Sequence, residues 1–91
     1  MPAMAVGPVL RAGTLSAAIV AALQAANPGA AVVDRGGYLR VSAPGRLRLA
    51  RADVEALLGR PVVLGAALQQ VMTGYAGRLA LTDDTALWSE D

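Results

Sequence analysis

The sequence predicts an α+β fold in which short helices pack on small antiparallel or mixed sheets. Three observations lead there. Helix-period stripes and strict alternation occupy separate short blocks rather than a repeating strand–helix cycle. Glycine or proline punctuates nearly every block. A chain of 91 residues with 55% hydrophobic content suffices for one core and no more. The order read along the chain is β-α-β-β-β-α-α-β-β, a single domain over residues 1–91 with residues 1–5 as a short tail.

Residues 6–12, VGPVLRA, form a short apolar run whose Pro8 suits an edge strand, where a missing amide breaks no ladder bond. Thr14 is expected as the N-cap of a helix in which Leu15, Ile19, Ala22, Leu23 and Ala26 recur at spacings of three and four, one buried stripe. Asn27, Pro28 and Gly29 end it. VVDRGGYLRV, residues 32–41, reads as a hairpin with Asp34 first, Arg35 and Gly36 central and Gly37 last, the Asp34 side chain bonding forward. An anion-binding glycine loop is the competing reading, but no helix follows it.

From Tyr38 the alternation puts Leu39, Val41 and Ala43 on one face and Tyr38, Arg40 and Ser42 on the other. Pro44 and Gly45 suggest a second reversal, after which Arg46, Leu47, Arg48 and Leu49 keep the alternation. Burial demands that these two runs pair with Leu39 opposite Leu49 and Val41 opposite Leu47, which predicts a bulge or three-residue loop between them. That register sets Arg40 opposite Arg48 with Arg46 nearby. Such a face reads either as ordinary solvated surface or as one that meets an acidic partner.

Residues 51–58, RADVEALL, suit a short helix burying Val54, Leu57 and Leu58, with Asp53 and Glu55 near its positive end and Gly59 as its stop. A second short helix over residues 63–72 would bury Leu64, Ala67, Leu68 and Val71. TGYAG, residues 73–77, is expected as a turn-rich loop. Strands at Arg78 to Leu81 and Ala86 to Trp88 then close around Thr82, Asp83, Asp84 and Thr85, with Trp88 in the core.

The chain contains neither cysteine nor histidine. Thiolate chemistry, the usual metal ligands and the commonest general base are thereby excluded, which leaves carboxylates alone for catalysis. Asp83 and Asp84 are adjacent, the serines have no histidine or lysine partner, and no phosphate-cradling glycine motif occurs. All eight basic residues are arginine, and the net charge of +1 offers no global attraction to nucleic acid or membrane. The apolar stretch over residues 15–26 is too short to span a bilayer, and its loss as a secretory signal would strip the core of an early helix. The residues therefore describe a cofactor-free module, expected in the cytoplasm, that works by touching another macromolecule. The alternatives are a freestanding carboxylate enzyme and a nucleic-acid module using Arg40, Arg46 and Arg48.

Several stretches taken in order, VGPVLRAG at 6–13, VVDRGGYLRV at 32–41, GRLRL at 45–49 and LGRPV at 58–62, resemble one family. It comprises the effector or coupling proteins of bacterial multicomponent diiron monooxygenases, the regulatory subunits of toluene, phenol, alkene and methane hydroxylases. YAGRL, residues 75–79, falls where that family has a small-residue turn. The resemblance implies a noncatalytic, cofactor-free protein, monomeric when free, that docks on the large subunit of a diiron hydroxylase. It further implies that docking reshapes the active-site pocket, times oxygen activation, and competes or alternates with a ferredoxin or reductase. Carried over by position, Arg11, Asp34, Arg35, Tyr38 and Arg40 are the partner-binding residues, and Arg48 joins them from the arginine face. Asp34 with Arg35 or Arg11 reads equally as an internal ion pair. Gly7, Pro8, Gly13, Gly59 and Pro61 match as backbone-shaping residues. Three departures stand out: only residues 1–5 precede VGP where the methane branch has a long N-terminal tail, Ala50 lacks a capping hydroxyl, worth about 1 kcal/mol, and Gly36 and Gly37 are expected to make the central turn looser than a bulkier pair would.

Overall fold

A computed structural model describes residues 3–90 of the chain. Residues 1 and 2 of the expected tail lie outside them, and Ala5 already opens the first strand. Among the described residues the order is β1 (Ala5–Arg11), α1 (Thr14–Ala26), β2 (Ala31–Asp34), β3 (Tyr38–Pro44), β4 (Arg46–Ala50), α2 (Arg51–Leu58), α3 (Leu64–Val71), β5 (Met72–Ala76), β6 (Arg78–Leu81) and β7 (Thr85–Ser89). The strands form two antiparallel sheets, ordered β2-β3-β1-β5 and β4-β7-β6. This is the expected α+β class, with one strand more than expected.

The alternation running from Tyr38 to Ala50 builds two strands that do not pair with each other. At Gly45 the chain leaves one sheet for the other, and the corner is stitched on both sides. Gly45 N donates to Met4 O at 2.8 Å, and Glu90 N donates to Gly45 O at 3.2 Å. Leu47 and Leu49 are buried, as alternation demands, but opposite Trp88 and Ala86 of β7. Alternation decides which side chains face inward and leaves the neighbouring strand open. The expected bulge or three-residue loop is therefore absent, and Arg40 does not face Arg48.

A second corner sits at Gly77, between β5 and β6. A Cβ there would lie 2.6 Å from Ser89 O and 2.8 Å from Val6 Cγ1, at φ +92°, so only glycine lets the chain turn so close to its neighbours. TGYAG is thus mostly strand, contrary to the expected loop: its glycines shape a ladder partner and a corner. Pro8 also departs from expectation, because β1 lies inside its sheet with β3 and β5 on either side. It is tolerated because the registered β3 rungs pass from Val6–Ala43 to Val9–Arg40 and skip Gly7 and Pro8. There β1 crosses so near β3 that a Cβ on Gly7 would meet Val41 O at 2.1 Å.

Helix α1 begins one residue earlier than the Thr14 cap predicts: Gly13 occupies the N-cap and Thr14 is already helical. The buried Ser16 hydroxyl instead donates to the Arg11 carbonyl, tying the helix to the end of β1. Ile19, Ala22 and Leu23 are buried as expected, whereas Leu15 is half-buried and Ala26 exposed. In α3 the predicted Leu64, Ala67, Leu68 and Val71 are all buried. In α2 only Val54 is buried, and Leu57 is 55% exposed. No side chain caps α2 at Ala50; the β6–β7 turn compensates, with Arg51 N donating to Asp84 O at 2.8 Å. The two sheets and the helices enclose one core, with Val6, Leu10 and Val41 from the first sheet, Leu47, Leu49 and Trp88 from the second, and Ile19, Leu23 and Leu68 from the helices.

Candidate functional site

Residues directly opposite one another in an antiparallel ladder share a face, so the register assembles the surface of each sheet. On the four-stranded sheet one outer row runs Val33, Arg40, Val9, Gly74 across β2, β3, β1 and β5. The next row joins Tyr38 to Arg11, and Arg35 N donates to Tyr38 O at 2.7 Å to continue it into the turn. Four of the six residues singled out in the sequence, Arg11, Arg35, Tyr38 and Arg40, thus converge at one end of one sheet. All four are exposed, as is Val33.

Asp34 belongs elsewhere. It stands opposite Leu39, which alternation places on the other side of the sheet. Its Oδ1 accepts from Gly36 N at 2.9 Å, the forward bond expected of a turn aspartate. The turn itself is centred one residue later than predicted. Gly36 and Gly37 both have positive φ, +66° and +103°, as the twist of a tight hairpin favours, and Arg35 is thereby freed to extend the ladder. A bond from Ala12 N to Gly37 O, 2.8 Å, ties this turn to the end of β1. The internal ion pair between Asp34 and Arg35 or Arg11 is not formed. Among the described residues, the ion pair within 4 Å is Arg51–Asp84, at 2.9 Å.

Arg48 lies on the other sheet. Its outer rows run Arg46, Ser89, Arg78 and Arg48, Leu87, Ala80 across β4, β7 and β6. The expected Arg40, Arg46 and Arg48 face therefore does not exist, and the residue that completes this second face is Arg78. Outward alternation in residues 78–81 hinted at it, but its neighbours depend on a strand pairing that no local pattern encodes. Asn27, read only as a helix stop, has a further role. Its Nδ2 donates to Leu23 O and to Arg48 O, both at 2.8 Å, and its Oδ1 accepts from Arg48 N at 3.0 Å. One amide thus ends α1 and occupies the open edge of β4.

The carboxylates serve the fold. Asp84 holds Arg51, Glu55 accepts from Val62 N at 2.8 Å, and Asp34 closes its turn. Asp83 lines an open groove of about 410 Å³ with Arg51, Val63, Gly65 and Leu81. Among the described residues no group of three or more His, Cys, Asp or Glu could hold a metal ion. Likewise, no described helix is long and apolar enough to cross a membrane.

The MmoB/DmpM family model matches residues 4–89, nearly the whole described chain. The chain belongs to the MmoB/DmpM family. A relative from Xanthobacter autotrophicus (strain ATCC BAA-1158 / Py2), the effector subunit of an alkene monooxygenase system, is 42% identical over 85 residues, covering 91% of this chain and 83% of the relative. The fold is similar to that of a chain in the phenol hydroxylase–regulatory protein complex, with a TM-score of 0.88 at 23% identity, covering 97% of this chain and all of that one. It is also similar to the soluble methane monooxygenase regulatory protein B, with a TM-score of 0.74 at 20% identity. This chain spans 65% of that protein. The resemblance carried by VGPVLRAG, VVDRGGYLRV, GRLRL and LGRPV is therefore one of family, and the two structural likenesses show that the MmoB/DmpM fold extends over the whole described chain.

Proposed function

We propose that this protein is the effector of a multicomponent monooxygenase, a cofactor-free regulator that binds the diiron hydroxylase and adjusts its active-site geometry, oxygen activation and electron-transfer timing. The supporting observation is the family match over residues 4–89, joined to 42% identity with an alkene monooxygenase effector subunit over most of both chains. The role is regulatory and not catalytic, as the family's is.

Such an effector acts only through differential binding. Affinity shared equally between two hydroxylase conformations shifts nothing, and moving a 1:99 population to 99:1 requires about a 10⁴-fold preference for one of them. An exposed sheet face is this chain's means of providing that preference. In the same reading the protein is a cytoplasmic monomer when free, and it competes or alternates with the ferredoxin or reductase on the hydroxylase.

Titration of the protein into a mixture of hydroxylase, electron-transfer components and substrate is the test. A saturable change in oxygenation rate or product ratio is expected, with no turnover by the protein alone. A flat response across the titration refutes the reading.

A further inference from the structure

We infer that the outer face of the four-stranded sheet, with Tyr38 and Val33 among the guanidinium groups of Arg11, Arg35 and Arg40, is the surface that docks on the hydroxylase, and that it meets an apolar patch rimmed by carboxylates. This rests on the effector reading above and deepens it by assigning the face and the chemistry of its counterpart.

Four observations carry the assignment. Tyr38 and Val33 are 46% and 43% exposed, the two large apolar side chains that β2 and β3 leave in solvent. Tyrosine and arginine together are the residues that dominate protein interfaces, tyrosine by rigid apolar area and arginine by planar, bidentate bonding to carboxylates. The registered outer rows contain no carboxylate: Asp34, the acid of this hairpin, faces the other way and is engaged by Gly36 N. The positive charge of the face is therefore uncompensated within its own rows and complementary to an acidic surface. Finally, the face is preorganised, since the turn is closed by Asp34 and tied to β1 through Ala12 and Gly37, so that little ordering accompanies docking.

The other exposed features fit this role less well. The face bearing Arg46, Arg48 and Arg78 has only half-buried Leu87 and exposed Ala80 between its charges, with no exposed aromatic. The groove beside Val63 and Leu81 is bordered by Arg51, whose charge Asp84 already answers.

The experiment measures binding of the fluorescently labelled full chain to the intact hydroxylase, comparing wild type, R11E/R40E, Y38A and R46E/R78E. Circular dichroism and thermal melting confirm that each variant is folded. R11E/R40E and Y38A are each expected to weaken binding at least about tenfold. R46E/R78E should stay within about threefold of wild type. Hydrogen exchange of the wild-type complex supplies an independent reading, with slowed exchange expected over residues 33–40. Unchanged binding by R11E/R40E and Y38A, a larger loss from R46E/R78E, or protection confined to other strands overturns the assignment while leaving the effector reading intact. Wild-type protein that neither binds the hydroxylase nor alters its turnover instead removes the effector reading itself.

Discussion

The two sheets present outer faces of nearly equal charge and different character. Each carries three arginines, Arg11, Arg35 and Arg40 on one and Arg46, Arg48 and Arg78 on the other. The net charge of +1 conceals this, because most of the acidic residues lie on the helices, in the β6–β7 turn or near the C-terminus. Between the arginines of the first face stand exposed Tyr38 and Val33; between those of the second stand Leu87, Ala80 and Ser89, of which Leu87 and Ser89 are half-buried. Guanidinium groups alone keep a sheet wet, whereas guanidinium groups around an exposed aromatic suit recognition. Count and sign of charge therefore do not separate the faces, and apolar exposure does.

The largest expected effect comes from attacking the backbone beneath the first face. Gly7→Ala places a methyl against Val41 O and should destabilise the domain by about 4 kcal/mol or more in urea unfolding. Gly74→Ala is the control, for it lies in the outer row beside Val9 with nothing within 4 Å of its Cβ, and should change stability by less than about 0.5 kcal/mol. Under the second face, Trp88 is fully buried between Leu47 and Leu79, and Trp88→Ala should cost about 3–5 kcal/mol by the same measurement.

A smaller loss is expected at the edge of the second sheet. Asn27→Asp replaces the Nδ2 donor with a carboxylate oxygen facing the Leu23 and Arg48 carbonyls, at a cost of about 1–3 kcal/mol. Its melting temperature should fall below that of Asn27→Ala, which removes the bonds without adding repulsion. As small as that of Gly74→Ala is the stability change for Tyr38→Ala, within about 0.5 kcal/mol, since nearly half its surface is already in solvent. A Tyr38→Ala variant that melts as early as Gly7→Ala would erase the distinction between a face that holds the fold and one that holds a partner.

Much of the fold was legible where the cause is local. The apolar stripe of α3, the alternation of β3, the forward bond of Asp34 and the burial of Trp88 all follow from spacing or side-chain chemistry within a few residues. What failed depended on pairing between distant strands. Leu47 and Leu49 advertise an inward face without naming β7 as their neighbour, so local pattern sets Arg48 beside Arg40 and leaves Arg78 without a row. Pro8 suggested an edge because its missing amide matters only where a partner needs one, and β3 skips that rung. Leu57 fits a buried helical position by spacing, yet α2 turns Val54 and, four residues on, Leu58 toward the core and leaves Leu57 in water.

The corners at Gly45 and Gly77 have a mechanical consequence. Two continuous lengths of polypeptide each contribute a strand to both layers, so peeling one layer away drags on the other. Neither layer is a separable folding unit, and the slowest-exchanging amides of both should share a single opening free energy. A push on one layer is consequently borne by the whole body, which answers as a stiff lever instead of yielding piecemeal.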